Sequence, residues 1–198
     1  MIKRYLRPFL ITIAFVGVVV MIFNLRPVSA DNAATQKPTA KAKSVLELDV
    51  TINRQENARG YRKPYVAVWI ADEKGFPYRT LSLWVMKQHP GPRWIPDLRQ
   101  WDQADRLREL VDDTDLVDGI SSATRPAGNY KISWDGLDDR EQPVPPGKYI
   151  LHVEAAREHG TYQIIKHPFV HSAQPFDTTL EGNVEIKSVK LHYVGTSN

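Results

Sequence analysis

The sequence predicts an all-β fold over residues 44–198, an antiparallel β-sandwich interrupted by one helical insertion. Short runs in which apolar and polar residues alternate at every second position are separated by turn residues. This alternation stops once, between residues 89 and 125, where the spacing of apolar residues becomes helical. The chain is 42% hydrophobic and contains five Trp and eight Tyr, so it has enough apolar side chains to form a core.

Three runs in the first half of the domain predict strands. They are Val45–Ile52, Tyr65–Ile70 and Tyr78–Met86. The first alternates strictly, which is typical of a strand with one buried face. The second and third are expected to form a hairpin around Gly75, because glycine adopts the positive φ that a tight turn requires. Trp69 and Trp84 can meet across this hairpin if the register pairs them, which the sequence does not fix.

The helical insertion is placed at residues 94–113. Asp97 can cap a helix there, because Gln100 follows it at the capping-box position. One amphipathic helix of about 15 residues is expected to pack on an edge or end of the sheet. The apolar residues that recur along it are Leu98, Trp101, Leu107, Leu110 and Val111.

Strand alternation returns after residue 128. Four further strands are predicted at Tyr130–Trp134, Tyr149–Ala155, Tyr162–Val170 and Val184–Val194. Polar loops with Gly and Pro separate the first two of them, as expected for antiparallel connections. Roughly eight short strands at hairpin spacing favour a β-sandwich over other all-β arrangements.

Residues 1–30 predict export from the cytoplasm. A basic lead at Lys3–Arg7 precedes 15 uncharged apolar residues, Phe9–Phe23, and small residues then end at Ala30, after which a signal peptidase would cut. Arg26 lies close to that position, so an uncleaved signal anchor in the inner membrane is the alternative. Both alternatives place the following domain in the periplasm. Residues 31–43 are small and polar and predict a flexible linker.

Charge and composition exclude several classes of function. Four of the 26 basic residues and no acidic residue lie in the first 30 positions, so the other 168 residues carry 22 basic and 23 acidic side chains. A nucleic-acid partner is not expected, because binding to phosphates needs a surplus of cations. The chain has no cysteine, which excludes disulfides, thiolate metal sites and a cysteine nucleophile. It also lacks the motifs of common hydrolases and nucleotide-dependent enzymes, and no catalytic residue is predicted.

One hairpin resembles a known structural module. Trp134–Asp139, followed by Val144–Tyr149, is similar to the Trp-Asp-Gly and Pro-x-Gly-x-Tyr hairpin of immunoglobulin-like modules such as that of the flagellar hook-capping protein. In this resemblance Trp134 enters the core, and Gly147 begins the next strand. It implies an immunoglobulin-like β-sandwich and carries no information about function.

Four longer segments resemble a family of bacterial proteins of unknown function that are predicted to be periplasmic. The segments are Pro64–Ile70, Trp94–Trp101, Ile120–Pro126 and Glu154–Gly160, and the likeness covers about residues 44–194. Members are often encoded near PepSY-containing membrane proteins and a flavin transferase that attaches FMN outside the cytoplasm. The resemblance therefore implies a role in flavin-linked redox chemistry or iron uptake, with a PepSY-type membrane protein or the transferase as partner.

A flavin attachment site is one hypothesis for the segment Asp118–Thr124. It resembles the Asp-x-x-Ser-Gly-Ala-Thr acceptor, in which the Thr hydroxyl forms a phosphodiester with FMN. This likeness implies attachment at Thr124, with Ser121 and Asp118 in the motif and Arg125 beside it to balance the charge of the ester. Ser122 stands where the acceptor has Gly, and the alternative is a serine-rich turn before Pro126.

Weaker candidates for ligand binding lie elsewhere. Trp94 and Trp101 lie beside a loop and can stack on a flavin ring, a siderophore or a sugar. Arg157, Glu158 and His159 form a charged group, and no metal site is predicted because no convergent ligand set is visible. Three functions remain open: a non-catalytic accessory or binding module, a redox carrier with covalent FMN, and a structural envelope module without cofactor.

Overall fold

A computed structural model describes residues 45–54, 62–112, 115–158, 160–172 and 174–195. The predicted signal segment, residues 1–30, and the predicted linker, residues 31–43, lie outside these ranges. Among the described residues, no helix is long and apolar enough to cross a membrane.

The described residues form nine strands in two sheets, which confirms the predicted all-β class. The strands are β1 Leu46–Ile52, β2 Tyr65–Asp72, β3 Pro77–Trp84, β4 Ser121–Ser122, β5 Gly128–Trp134, β6 Gly147–Ala156, β7 Tyr162–His171, β8 Phe176–Glu181 and β9 Ile186–Tyr193. One sheet has the order β5-β1-β9-β8 and the other the order β4-β3-β2-β6-β7. Neighbours are antiparallel except β3 and β4, which are parallel.

The main core lies between the two sheets. In β1 the predicted alternation is confirmed, because its four apolar side chains are at most 2% exposed while Glu47 is exposed. Trp134 is 1% exposed in the same core, and its indole nitrogen donates a hydrogen bond to the carbonyl of Leu137 at 2.8 Å. The predicted hairpin between β2 and β3 forms, with Gly75 at φ +89°. The turn at Gly75 and the turn that follows Trp134 therefore both arise from local sequence, as the glycine and tryptophan patterns indicated.

Strand β2 is buried on both faces and divides the two cores. Val66 and two further residues face the main core, whereas Trp69 faces a second core under the helical insertion. Trp84 pairs with Val66 and Trp69 with Thr80, so the two tryptophans lie in different cores. They do not meet across the hairpin, because the register gives them opposite faces of the sheet.

The insertion predicted at residues 94–113 is a 3-10 helix, Gly91–Asp97, followed by α1, Arg99–Asp112, and a short helix α2, Val117–Ile120. The carboxylate that accepts hydrogen bonds from the first turn of α1 is Glu154 of β6 and not Asp97. It accepts from the backbone amides of Gln100, at 3.0 Å, and Trp101, at 2.8 Å. A buried carboxylate from a distant strand thus satisfies amides that the helix itself leaves free.

The face of α1 that is buried differs from the predicted one. The helix buries Trp101, Ala104, Asp105 and Arg108 against the sheet. Arg108 is 2% exposed and donates to Asp105 at 2.7 Å, so two charged residues occupy the inner face as a pair. Leu107, Leu110 and Val111 are consequently turned toward solvent. The hydrogen bonds to Glu154 and the packing of Trp101 in the second core fix this rotation of the helix about its axis.

Candidate functional site

A cleft of about 590 Å³ brings together three residues that the sequence singled out, Trp94, Thr124 and Glu158. They belong to the 3-10 helix, the loop after β4 and the turn after β6, which are distant in sequence. The remaining lining residues are Arg62, Lys63, Tyr65, Met86, Pro90 and Arg93. A volume of this size lies within the range of small-molecule sites, and this cleft is the candidate functional site.

A close backbone approach holds the 3-10 helix at the wall of the cleft. A Cβ atom on Gly91 would lie 2.2 Å from the carbonyl oxygen of Met86, so only glycine fits there. The hydroxyl of Tyr65 donates a hydrogen bond to the carbonyl of Gly91 at 2.9 Å. These contacts set the position of Arg93 and Trp94, which follow in the same helix.

The cleft has a surplus of positive charge. Arg62 forms an ion pair with Glu158, whose side chain is only 15% exposed. Lys63 is exposed and makes no ion pair within the part of the chain that the structure describes. The guanidinium of Arg93 lies over the ring of Trp94, 4.4 Å from its centroid. Three cations against one carboxylate give a site that attracts an anionic group, beside an aromatic side chain that can stack.

Arg157 is not a lining residue of the cleft, but it binds the backbone of Arg62, which lies at the rim of the cleft. Its guanidinium donates to both carboxylate oxygens of Glu185, at 2.9 and 2.5 Å, and the side chains are 8% and 0% exposed. It also donates to the carbonyl oxygen of Arg62, and the hydroxyl of Thr161 donates to Glu185. Arg157 is therefore bound within the protein, away from the lining of the cleft. His159, named with it as a candidate, lies outside the described residues.

Thr124 is the only member of the proposed flavin acceptor among the residues that line the described cleft. Its side chain is half-buried, and the preceding Ser122 and Ala123 are exposed. Ser121 and Ser122 form the two-residue strand β4 beside the end of β3, in place of the turn that was the alternative prediction. The Ser121 hydroxyl is buried and finds no hydrogen-bond partner among the described residues. Thr124 thus lines the cleft and has small neighbours on its N-terminal side.

Asp118 and Arg125 lie apart from the cleft lining. The carboxylate of Asp118 is 90% exposed and lies 3.6 Å from the ammonium of Lys87. The guanidinium of Arg125 stacks over Trp84 and Tyr130, at 4.8 and 5.1 Å from the ring centroids. Arg125 is therefore engaged with two aromatic rings and is not among the residues that line the cleft beside Thr124.

Trp101 belongs to the second core. It is 2% exposed, and its indole nitrogen donates to the hydroxyl of Thr80 at 3.2 Å. Its ring packs with Leu98 beneath α1. This tryptophan therefore stabilises the packing of the insertion and offers no surface to a ligand.

The polar residues on the outer face of β6 have structural partners. His152 stacks on Trp69 with ring centroids 4.5 Å apart, and burial lowers the pKa of its imidazole to about 4. Glu154 is 0% exposed and caps α1. Burial raises the pKa of the Glu154 carboxyl, although the two amide hydrogen bonds act in the opposite direction. In the described ranges, no group of three His, Asp or Glu residues is placed to hold a metal ion.

Three cations of the cleft were not among the residues singled out by sequence. Arg62, Lys63 and Arg93 lie in polar segments that predict only exposed loops. The one local signal was the adjacency of Arg93 and Trp94, a cation next to an aromatic residue with which it can form a cation–π contact. Their convergence with Thr124 depends on tertiary structure, because three strands and three helices lie between residues 62 and 124.

Comparison with known proteins gives one match. The profile of a protein family described as "Predicted periplasmic protein (DUF2271)" matches residues 46–188. No curated protein matches the chain, and no solved structure does. The match confirms both the family likeness and the periplasmic location predicted from the sequence. Because it covers more than half of the chain, the protein belongs to this family of predicted periplasmic proteins of unknown function.

Proposed function

We propose that the protein is a non-catalytic periplasmic binding module whose cleft holds an anionic, aromatic ligand of the flavin mononucleotide type. The observation that carries this proposal is the convergence of Arg62, Lys63 and Arg93 with Trp94 in one cleft. Guanidinium and ammonium groups bind a phosphate, and a partly exposed aromatic ring such as that of Trp94 can stack on an isoalloxazine. The accessory role is in a flavin-linked redox or iron-uptake system, next to a PepSY-type membrane protein or a flavin transferase.

The experiment compares FMN with riboflavin, which has the same ring system and no phosphate. Binding to the protein isolated from the periplasm is measured by the quenching of flavin fluorescence. FMN is expected to bind at least about tenfold more tightly, because a charge-assisted contact to the phosphate contributes about 1.5 to 3 kcal/mol. Equal affinities for the two flavins would contradict a phosphate site.

Two charge-reversal variants locate the site. Lys63→Glu places a carboxylate in the cleft and is expected to weaken FMN binding while riboflavin binding changes little. Lys131→Glu is the matched control, because Lys131 is also exposed and lies on β5 in the other sheet. The same loss in both variants would mean that the effect is long-range attraction and that the cleft is not the site. Absence of flavin binding in every form would favour the structural envelope module.

A second candidate function is a redox carrier with FMN attached to Thr124. The observation that favours it is that Thr124 is one of the residues lining the same cleft, next to exposed Ser122 and Ala123. In the reaction, the threonine oxygen would form a bond to the FMN phosphorus of a flavin dinucleotide. The P–O–P bond would break, AMP would leave, and the hydroxyl proton would pass to a base of the transferase.

Co-expression with the flavin transferase tests attachment. Intact-mass spectrometry should show the addition of one FMN less one water, and Thr124→Ala should abolish it. Thr124→Ser keeps the hydroxyl and should retain the modification. Ser122→Gly restores the residue of the acceptor motif and should raise the modified fraction. If the mass gain survives in Thr124→Ala, the attachment site lies elsewhere, while noncovalent binding in the cleft remains to be judged from the titrations.

A further inference from the structure

Helix α1 presents an apolar stripe to solvent. Leu107, Leu110 and Val111 are 42%, 85% and 60% exposed. Their spacing, i, i+3 and i+4, places them on one side of the helix. A stripe of this kind normally packs on the protein, but α1 instead buries the adjacent side, which carries Trp101, Ala104, Asp105 and Arg108. The exposed stripe is therefore a surface that a second molecule can cover.

A groove of about 560 Å³ runs between this stripe and the five-stranded sheet. Leu107 and Leu110 line it on the helix side, and Ile150 lines it on the sheet side. Trp69 and His152, stacked on each other, form part of the same lining. The groove thus continues the stripe inward and combines an apolar floor with a helical wall, which is the form of a peptide-binding groove.

The charges around the groove favour an acidic occupant. Its lining includes Lys74, Arg106 and Lys166 but only one acid, Glu73. Arg106 pairs with Asp102, and Glu73 lies 3.9 Å from Lys148. In the described part of the chain Lys74 makes no ion pair, and Lys166 donates to the side-chain oxygen of Gln100 at 3.1 Å. Among the described residues, neither ammonium group forms an ion pair, although the charge of Lys166 acts on the buried carboxyl of Glu154.

We propose that this groove docks a segment of a partner protein that carries at least two apolar side chains flanked by carboxylates. The apolar side chains cover Leu107 and Leu110, and the carboxylates lie beside Lys74 and Lys166. Complementary charges of this kind set the specificity and orientation of a docked segment. The proposal concerns the opposite end of the β2 face from the flavin cleft and does not depend on flavin binding.

Two other occupants fit the groove less well. A second copy related by a two-fold axis would bring the same cations of both copies together, which is repulsive. An anionic membrane would meet Glu73 as well as the lysines, and a flat lipid surface does not enter a groove recessed between a helix and a sheet. The recess and the mixed rim therefore favour a peptide segment over a lipid surface.

The test is a selection of displayed random 12-residue peptides on the protein isolated from the periplasm. The enriched peptides are then compared for binding to the protein and to its Leu110→Asp variant. Leu110 is 85% exposed, so this substitution leaves the core unchanged. The enriched peptides are expected to combine apolar residues with Asp or Glu, and their synthetic forms to bind Leu110→Asp at least about tenfold more weakly.

Further variants complete the test. Lys74→Glu reverses a charge and removes no apolar contact, and it should weaken binding of the same peptides by about tenfold. Val184→Asp removes a valine that is 42% exposed in the loop before β9, and Lys131→Glu reverses a distant charge; neither should alter binding. The proposal is overturned if no peptide is enriched or if the enriched peptides bind Leu110→Asp and Val184→Asp alike. It is also overturned if phosphatidylglycerol vesicles bind in a Leu110-dependent manner while no peptide does.

Discussion

Arg157→Met is expected to lower the free energy of unfolding by about 3 to 5 kcal/mol, because it removes the guanidinium beside a buried carboxylate. Glu185 is 0% exposed and receives two hydrogen bonds from Arg157, at 2.9 and 2.5 Å. Methionine fills much of the same volume but cannot donate. The hydroxyl of Thr161 still donates to Glu185, so the carboxylate keeps that contact and loses the guanidinium of Arg157.

The loss is large compared with the whole stability of such a domain, which is about 5 to 15 kcal/mol. In thermal unfolding it corresponds to a decrease in Tm of about 6 to 20 °C, at 2 to 4 °C per kcal/mol for a domain of this size. The same guanidinium donates to the carbonyl of Arg62 at the rim of the cleft. Arg157→Met should therefore also weaken ligand binding, but only as a consequence of the displaced rim.

Denaturation in urea, followed by circular dichroism, measures the change, and an unchanged m-value shows that the comparison is valid. The double variant Arg157→Met, Glu185→Met removes both charges and should recover most of the lost stability, because an apolar pair no longer leaves a buried charge. If Arg157→Met lowers the free energy of unfolding by less than about 1 kcal/mol, the Arg157–Glu185 ion pair does not stabilise the fold as a buried pair would. A loss of ligand binding at full stability would instead make Arg157 a ligand-contacting residue.

Three further predictions concern the two cores and the cleft. Burial lowers the pKa of His152 from its ordinary 6.5 to about 4, so the unfolded chain binds the proton more tightly than the folded one. The free energy of unfolding should therefore fall by up to about 3 kcal/mol as the pH decreases from 6.5 to 4. In urea titrations at different pH values, His152→Gln should reduce this dependence on pH. Gly91→Ala should displace the 3-10 helix from Met86 and weaken FMN binding by at least about tenfold, as fluorescence quenching would show. Trp134→Ala should cost about 3 to 5 kcal/mol in the same denaturation experiment, since it empties a site in the main core that is 1% exposed; a loss below 1 kcal/mol would contradict that packing.

Local patterns in the sequence predicted the strands that have one buried face. β1 is an example, because Leu46 and every second residue after it enter the core. β8 was missed, since Phe176–Glu181 is a short edge strand in which polar residues alternate with only partly buried ones. Its pairing with β9 is a property of the sheet and leaves little trace in the segment itself. The immunoglobulin-like character implied by the Trp134 hairpin stays a prediction.

The orientation of α1 could not be predicted, because residues far away in the sequence determine it. Hydrophobic periodicity alone would turn Leu107 and Leu110 inward. Two features override this periodicity. The ion pair between Asp105 and Arg108 offsets the desolvation cost of burying that side of the helix. Glu154 of β6 accepts hydrogen bonds from the first turn and so holds that turn against the sheet. A buried charged pair within a helix reverses the usual rule that the charged side faces solvent.

Only those residues of the candidate site that carry a local sequence signal could be predicted. Trp94 and Thr124 carry local signals, an aromatic ring next to a proline-rich loop and a small-residue segment before a threonine. The cations that give the cleft its charge have no such signal, since Lys63 lies in an ordinary polar connection. Whether an exposed lysine faces a ligand or bulk solvent is decided by which segment packs beside it, and that information is tertiary.

The outer face of β2 relates the two surfaces on which the proposals rest. Tyr65 lines the cleft and Trp69 lines the groove beneath α1, and both side chains point to the same side of this central strand. Four residues along a strand span about 13 Å, so the two surfaces are close neighbours on one rigid element. A partner segment docked against Leu107 and Leu110 would thus be held near a flavin bound at Trp94. If the peptide-binding variants leave FMN affinity unchanged while Lys63→Glu leaves peptide affinity unchanged, the strand acts as a fixed spacer between independent sites. A reciprocal change in both affinities would instead show that occupation of one site alters the other, as thermodynamic linkage requires.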